Sequence, residues 1–418
     1  MTINHADLDE KIRQAVFGRE SDKKDSRQSI RDAAKDAGIY PASTYKLYQA
    51  AGQNKYEGIT VPAINIRGIT YDFARAVFRA AIKSAAGAYI FELARSEMGY
   101  TLQTPDEYAV CILAAALREN YTGPVYIQGD HYQVRRAMYR ENAAGEIDDL
   151  KTLIRDSVYA GFYNIDIDAS TLVDITQANQ TAQQEANGRI TAELCRYIRE
   201  IQPEGITVTV GGEIGEIGKG NSTPDELKAF MEKFEHYLGS DAIGISKISV
   251  QTGTSHGGVV LPDGSVADVQ LDFKTLGDLS AQARKEHEMG GAVQHGASTL
   301  PDQAFDMFPK VGTLEVHLAT GFQNMLFDSS HFPQDLKEKI YGLLLTKYQG
   351  ERKADQTDSQ YIYKTRKKSF GDFKQEMWAL PPETMAALCG ELEGRFSFIF
   401  EKLNIAQTKQ VFEKVISG

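Results

Sequence analysis

At 418 residues the chain is longer than a usual single domain, yet it lies within reach of one large α/β barrel carrying extensions. Its 42% apolar and 25% charged residues are those of an ordinary globular protein, and a net charge of −11 excludes a basic nucleic-acid-binding surface. No apolar run approaches the ~18 residues a membrane span needs, and Met1-Thr2-Ile3-Asn4 does not open a secretory leader. The expectation is a cytoplasmic protein with neither membrane nor nucleic-acid partners.

Residues 1–58 read as a helical N-terminal extension. Asp7 to Phe17 and Asp25 to Ala37 carry helical periodicity, which Gly38 and Pro41 break. From residue 59 strand-like runs alternate with helix-like ones. The expected strands are Val61 to Ile66, Ala88 to Leu93, Val125 to Gly129, Tyr163 to Asp168, Ile206 to Val210, Ala242 to Ser249, Gly291 to Gln294 and Thr313 to Leu318. The helical stretches between them include Tyr71 to Ala86, Pro105 to Glu119, Glu146 to Gly161, Thr176 to Glu200, Pro224 to Tyr237, Phe273 to Met289 and Pro301 to Met307. Eight β units, each followed by an α unit, predict a (β/α)8 TIM barrel over residues 59–348. An open doubly wound sheet is the rival, but its Gly-x-Gly-x-x-Gly is missing after the first strand.

Residues 349–418 read as a helical C-terminal extension containing the basic run Lys364-Thr365-Arg366-Lys367-Lys368, the single tryptophan Trp378 and the Pro381-Pro382 break. The long extensions point to a homodimer or homotetramer. Cys111, Cys195 and Cys389 each fall in an apolar-periodic helical segment, with no zinc-type spacing, as buried small hydrophobes in a reducing compartment do.

A barrel places its chemistry at the C-terminal ends of its strands, where the suspicious residues lie. His131, His256 and His295 follow three such ends and together offer the open three-imidazole site of a catalytic metal. Asp130 precedes one of them; adjacent strand residues point to opposite faces unless the strand ends there, in which case Asp130 can exchange a proton with a substrate hydroxyl or orient an imidazole. Asp168 and Glu213 are carboxylates for a second or mobile cation, or charge balance. Gly257, Gly258, Gly296 and Ser298 offer small residues and backbone N–H groups for a phosphate, and Thr320 ends the last strand. Lys247, inside the sixth expected strand, is the rival: a desolvated barrel lysine is a Schiff-base nucleophile, unless it pairs with Asp168 or Glu213. His317 lies in a strand short of the loop, and His5, His236, His287 and His331 read as packing or solvated residues.

These motifs resemble the class II, metal-dependent fructose-bisphosphate and tagatose-bisphosphate aldolases. In the family's order stand Val61-Pro62-Ala63-Ile64-Asn65-Ile66, Gly129-Asp130-His131, Ile167-Asp168-Ala169-Ser170, Gly212-Glu213-Ile214-Gly215, Gly253-Thr254-Ser255-His256-Gly257, Leu271-Asp272-Phe273 and His295-Gly296-Ala297-Ser298. The resemblance covers roughly residues 60–325. It implies a zinc-dependent lyase of glycolysis and carbohydrate metabolism acting on a sugar phosphate, with His131, His256 and His295 holding the divalent metal. It further implies that Asp130 is the acid/base at the C4 hydroxyl, and that Glu213 and Asp168 serve an alternate metal position. Gly257, Gly296 and Ser298 would bind a phosphate and a monovalent cation, and Lys247 would be structural.

The substrate side departs from the pattern. Where the family's last strand carries Asn-x-Asp-Thr, this chain has Glu315-Val316-His317-Leu318-Ala319-Thr320, so only Thr320 matches. The acidic loop after Glu-Leu-Gly reads Lys219-Gly220-Asn221-Ser222, leaving Glu216, Asp225 or Glu226 as substitutes, and Ala297 replaces a glycine. The expectation is a divergent aldolase on a ketose phosphate, with a ketose epimerase using the same metal-dependent retro-aldol step, or a non-catalytic barrel subunit, as alternatives. The basic run is either a solvated helix face or a phosphate anchor reaching a neighbouring subunit.

Overall fold

A computed structural model describes residues 4–215, 220–253, 260–263, 265, 267 and 271–417. Among them nine parallel strands form one sheet: β1 (Ile39–Ala42), β2 (Val61–Ile64), β3 (Ile90–Ala94), β4 (Gly123–Gln133), β5 (Asn164–Asp168), β6 (Thr209–Glu213), β7 (Lys247–Val250), β8 (Ala292–Gln294) and β9 (Glu315–Leu318). The order β4-β3-β2-β9-β8-β7-β6-β5, with β4 also pairing β5, closes a ring of eight. The chain is therefore a (β/α)8 barrel with helical extensions, and each expected barrel strand is present.

The break at Gly38 to Ser43 is the additional strand. β1 pairs along the lower half of β4, from Ile39 beside Gly123 to Ala42 beside Tyr126, while β5 takes the upper half from Gln128. Pro41 is tolerated because β1 has a neighbour on one side only. Asn164, at the foot of β5, ties the junction: its amide nitrogen donates to the Ala42 and Ile127 carbonyls, and its oxygen accepts from the Thr44 N–H.

The outer helices are amphipathic and capped where the sequence provides caps. Glu185–Ile201 turns Ile190, Leu194, Cys195 and Ile198 inward. Pro224–Leu238 opens on a capping box between Thr223 and Glu226, with Pro224 in the first turn. Two expected helices are shorter. The Thr176 to Glu200 stretch becomes a turn, a short helix Gln180–Gln183 and then Glu185–Ile201, because the Asp174 carboxylate accepts from the Thr176 N–H and hydroxyl and holds the chain out of a helix. Pro301 to Met307 is a 3-10 turn, Asp302–Ala304, followed by Met307–Lys310, in a segment where Pro309 withholds an N–H.

Both ends of the chain meet on the flank that follows β2. The Trp378 indole N–H donates to the Gly68 carbonyl at 2.9 Å, and Arg13 donates to the Trp378 carbonyl. The Phe17 ring stands edge-on to the indole at 5.5 Å. Helix Pro382–Lys402 packs against helix Thr70–Ser84 and buries Leu388, Leu392, Phe396 and Ile399, the Phe396 ring standing 4.9 Å from that of Phe322. The C-terminal segment continues over the barrel mouth: Thr357 and Gln360 donate to the carbonyls of Pro262 and Val260. All three cysteines are buried and free.

Candidate metal centre and active site

β4 carries Asp130 and His131 through an irregularity that makes both point into the mouth. Gly129 pairs with Ile165 and Tyr132 with Ile167, so three steps on β4 match two on β5. The extra residue forms a bulge, and His131 takes φ +41°, outside the range of an extended strand. Gly129 is required here, since a Cβ would stand 2.4 Å from the Tyr132 ring folded back across it. The opposite-face problem of two neighbouring strand residues is thus solved by the bulge.

His131 Nδ1 lies 3.1 Å from Glu213 Oε2 and 3.4 Å from Asp168 Oδ2. The rings of His131 and His295 are 4.2 Å apart, and His131, Glu213 and His295 offer ligand atoms all within 4.8 Å of one another. His295 Nε2 is 2.9 Å from the Ser249 hydroxyl. Asp168 accepts from the Ser170 N–H and hydroxyl and from Gln133, which fixes it behind His131. Two imidazoles and a carboxylate are suitable donors for a borderline divalent cation such as zinc. His256 and Gly257, expected to complete the metal and phosphate sites, lie outside the described residues, as does Glu216.

Burial pushes Glu213 up to about 7, Asp168 adds to the rise, and His131 opposes it. Burial also pushes Asp130 up, but His131, His317 and His295 outweigh it and hold this carboxyl well below the usual range. His131 moves the other way: burial favours the neutral ring, yet Asp130 and Glu213 lift its pKa well above the ordinary imidazole value.

His317 is the residue the loop motifs did not single out. From β9 its Nδ1 lies 3.2 Å from Asp130 Oδ1 and 2.9 Å from Glu92 Oε2, its Nε2 lies 2.6 Å from Glu315, and its ring is 4.0 Å from that of His295. Asp130, His295 and His317 form a second potential donor set, and Asp166, Glu315 and His317 a third. Polar residues spaced by two inside otherwise apolar strands are the available signal, Glu315 with His317 being the plainest case.

Lys247 is paired, but with other partners than Asp168 and Glu213. Its Nζ lies 3.0 Å from Asp166, 2.6 Å from Glu315 and 2.6 Å from the Gln128 amide oxygen. Strand register explains the change: Asp166 pairs with Gly211 and Gly211 with Lys247, one level below Asp168 and Glu213. Gly211 also leaves the necessary room, since a Cβ there would stand 2.3 Å from Asp166 Oδ1. Burial pulls the lysine pKa down, but Asp166 and Glu315 raise it above the ordinary value. A lysine held as ammonium is a poor amine nucleophile.

A cleft of about 730 Å³ opens above Asp130 and His131. Thr320 lines it, whereas Ser298 lines a neighbouring pocket and accepts the Gly321 N–H. Gly296 provides a left-handed turn at φ +70°. Of the possible acidic-loop substitutes, Glu226 is engaged in its helix cap and Asp225 is exposed in the same first turn. The basic run divides: Arg366 is buried on Asp328 and Asn324, while Lys364 and Lys367 line the cleft of their own chain.

Residues 42–379 match the family model described as fructose-bisphosphate aldolase class-II. No curated protein matches the sequence. Among solved structures, the fructuronate-tagaturonate epimerase UxaE from Cohnella laeviribosi, with one glycerol bound, superposes with TM-score 0.60 at 12% identity, covering 91% of this chain and 85% of that one. A probable tagatose 6 phosphate kinase from Sinorhizobium meliloti 1021 gives TM-score 0.54 at 17% identity over 85% and 93% of the two chains. The fructose-bisphosphate aldolase of Campylobacter jejuni gives 0.53 at 18% over 88% and 96%. At such identities these likenesses concern the fold; the family match spans most of the sequence, and the chain belongs to the class II fructose-bisphosphate aldolase family.

Proposed function

We propose that the protein is a zinc-dependent class II aldolase that reversibly cleaves a ketose phosphate or bisphosphate, such as fructose 1,6-bisphosphate, to dihydroxyacetone phosphate and an aldehyde. The observation that carries this reading is the set of His131, Glu213 and His295 donor atoms within 4.8 Å of one another, beside a carboxylate held ionised. His131 and His295, with His256, would hold the metal, and Glu213 and Asp168 would serve its alternate position. When bound, a divalent ion there supplies Lewis-acid polarisation of the ketose carbonyl.

The remaining work falls to side chains. Asp130 takes the proton of the C4 hydroxyl as the C3–C4 bond breaks. The C4 oxygen becomes the aldehyde carbonyl, and the bonding electron pair stays on the three-carbon half. In the reverse direction Asp130 returns that proton. Asp168, fixed by Ser170 and Gln133, orients His131. The same reading makes the protein a cytoplasmic homodimer or homotetramer acting on sugar phosphates, with a monovalent cation and a phosphate near Gly257, Gly296, Ser298 and Thr320.

One observation favours a second reading. His317 stands against Asp130 from the strand where the family carries its Asn-x-Asp, which alters the side that holds the three-carbon half. An enzyme that re-adds the same aldehyde to the opposite face, a C4 epimerase, would use the same first step.

The test is metal analysis of wild type beside His295→Ala, coupled to cleavage assays on fructose and tagatose 1,6-bisphosphates with and without chelator. About one metal per chain, lowered in the variant, with chelator-sensitive triose phosphate release, is the expected result. Metal with C4 epimer formation and no release selects the epimerase. Cleavage that survives chelation and is trapped by borohydride overturns both.

A further inference from the structure

The connection between β7 and helix Phe273–His287, residues 251–272, is long and contains His256. A connection of this length needs anchorage if it is to hold a side chain in one place. Its root is tied: the Asp272 N–H donates to the Thr252 carbonyl at 2.9 Å, and the Gly253 N–H to the Gln251 amide oxygen at 3.0 Å. Past His256 the ties come from the C-terminal extension. Gln360 Nε2 donates to the Val260 carbonyl at 2.9 Å, and the Thr357 hydroxyl to the Pro262 carbonyl at 2.7 Å. The turn they hold is closed on itself, the Leu261 N–H donating to the Ser265 carbonyl at 2.8 Å. Val260 lines the same cleft as Asp130 and His131.

Thr357 and Gln360 are also the two halves of a capping box. The Gln360 N–H donates to the Thr357 hydroxyl oxygen at 3.2 Å and the Thr357 N–H to the Gln360 amide oxygen at 3.1 Å, which opens helix Asp358–Thr365. The acceptor atoms of both side chains thus serve the helix, while the hydroxyl proton and the amide nitrogen reach across to the loop. The helix is a firm base. Buried Tyr361 donates to the Leu344 carbonyl at 2.8 Å, and buried Arg366, just past the helix, donates to Asp328 and Asn324.

We infer that Thr357 and Gln360 are positioning residues for the metal: they clasp the loop that bears His256, so that this imidazole reaches the ion at a low entropic cost. The inference rests on the proposed reading of His256 as a ligand. With the clasp in place, six residues, 254–259, lie between the tied Gly253 and Val260. Without it eighteen, 254–271, lie between Gly253 and the tied Asp272. The entropic cost of closing a span grows as three halves of RT times the logarithm of its length, so a span three times longer weakens metal binding through His256 by roughly fivefold.

The experiment measures Zn2+ affinity by competition with a chromophoric chelator, alongside amide hydrogen exchange, in wild type, His295→Ala, Thr357→Ser and the double variant Thr357→Asp/Gln360→Glu. The double variant keeps a side-chain acceptor at both positions, so the helix cap survives, but it removes both donors to the loop. Its added negative charge would by itself strengthen cation binding, so a weaker affinity reports the lost clasp. The expected result is roughly fivefold weaker Zn2+ binding, with faster exchange at the Leu261 N–H and unchanged exchange over residues 358–365. Thr357→Ser, which keeps the hydroxyl, should bind as wild type does. Zn2+ lost in His295→Ala yet held equally by wild type and the double variant overturns the clasp alone. A wild type that binds no Zn2+ overturns the proposed metal reading and the clasp with it. Weaker binding accompanied by faster exchange over residues 358–365 makes the pair determinants of the helix only, and also overturns the clasp.

Discussion

Two charged clusters share the interior of the barrel one level apart, and they are balanced differently. In the lower one Asp166 and Glu315 close on the ammonium of Lys247, a cation covalently part of the chain. The upper one sets Asp130, Asp168 and Glu213 against the imidazoles of His131 and His295, whose charge depends on what they bind. His317 bridges them, touching Glu315 below and Asp130 above. A fixed lysine makes the lower cluster structural support. Titratable or metal-binding rings make the upper one chemically responsive, and this is where the proposed reaction is placed.

The contrast is sharpest at Asp130. Asp130→Asn should lower kcat roughly 10²–10⁴-fold, the range for a lost general base, with metal content near that of wild type. Atomic absorption alongside the cleavage assay decides the matter. If metal leaves together with activity, Asp130 belongs to the Asp130, His295 and His317 donor set as a ligand, and its role as proton carrier fails. A smaller effect, on stability, is expected below. Lys247→Met should cost roughly 3–5 kcal/mol, because it strands two buried carboxylates. Urea denaturation measures this, and adding Glu315→Gln should recover part of the loss. A Lys247→Met protein of full stability that cannot cleave substrate would reverse the assignment of the two clusters.

The sequence makes the barrel legible because its strands are apolar runs set between amphipathic helices, and motif spacing put Asp130, His131, Asp168, Glu213 and His295 at strand ends. The four-residue β1 was hidden by its length and by Pro41, a residue that normally argues against a strand. The partners of Lys247 follow from the register of Asp166, Gly211 and Lys247, which no single segment contains. His317 and Glu92 were passed over because they point inward from mid-strand, where burial rather than a loop motif gives them their neighbours. That Lys364 and Lys367 face their own chain's cleft depends on contacts between distant segments, such as Lys374 with the Leu102 carbonyl 272 residues away and with Glu107 267 residues away.

The smallest effect is expected at a third cluster on the rim, where Arg95 and Arg135 both hold Glu146. Burial works against ionisation of this carboxyl, but the two guanidiniums and the Arg135 N–H outweigh it and bring its pKa down to about 2 from the ordinary 4.5. A carboxyl whose pKa is lower in the folded chain contributes stability that is fully present above about 4.5 and is lost as pH falls toward about 2. Arg135 is half exposed, so solvent screening reduces the contribution to on the order of 1–2 kcal/mol. Glu146→Gln should therefore be less stable than wild type by that amount at pH 7, with the gap closing as pH falls from about 4.5 toward about 2 in denaturant titrations. A gap independent of pH would mean that Glu146 acts through packing alone.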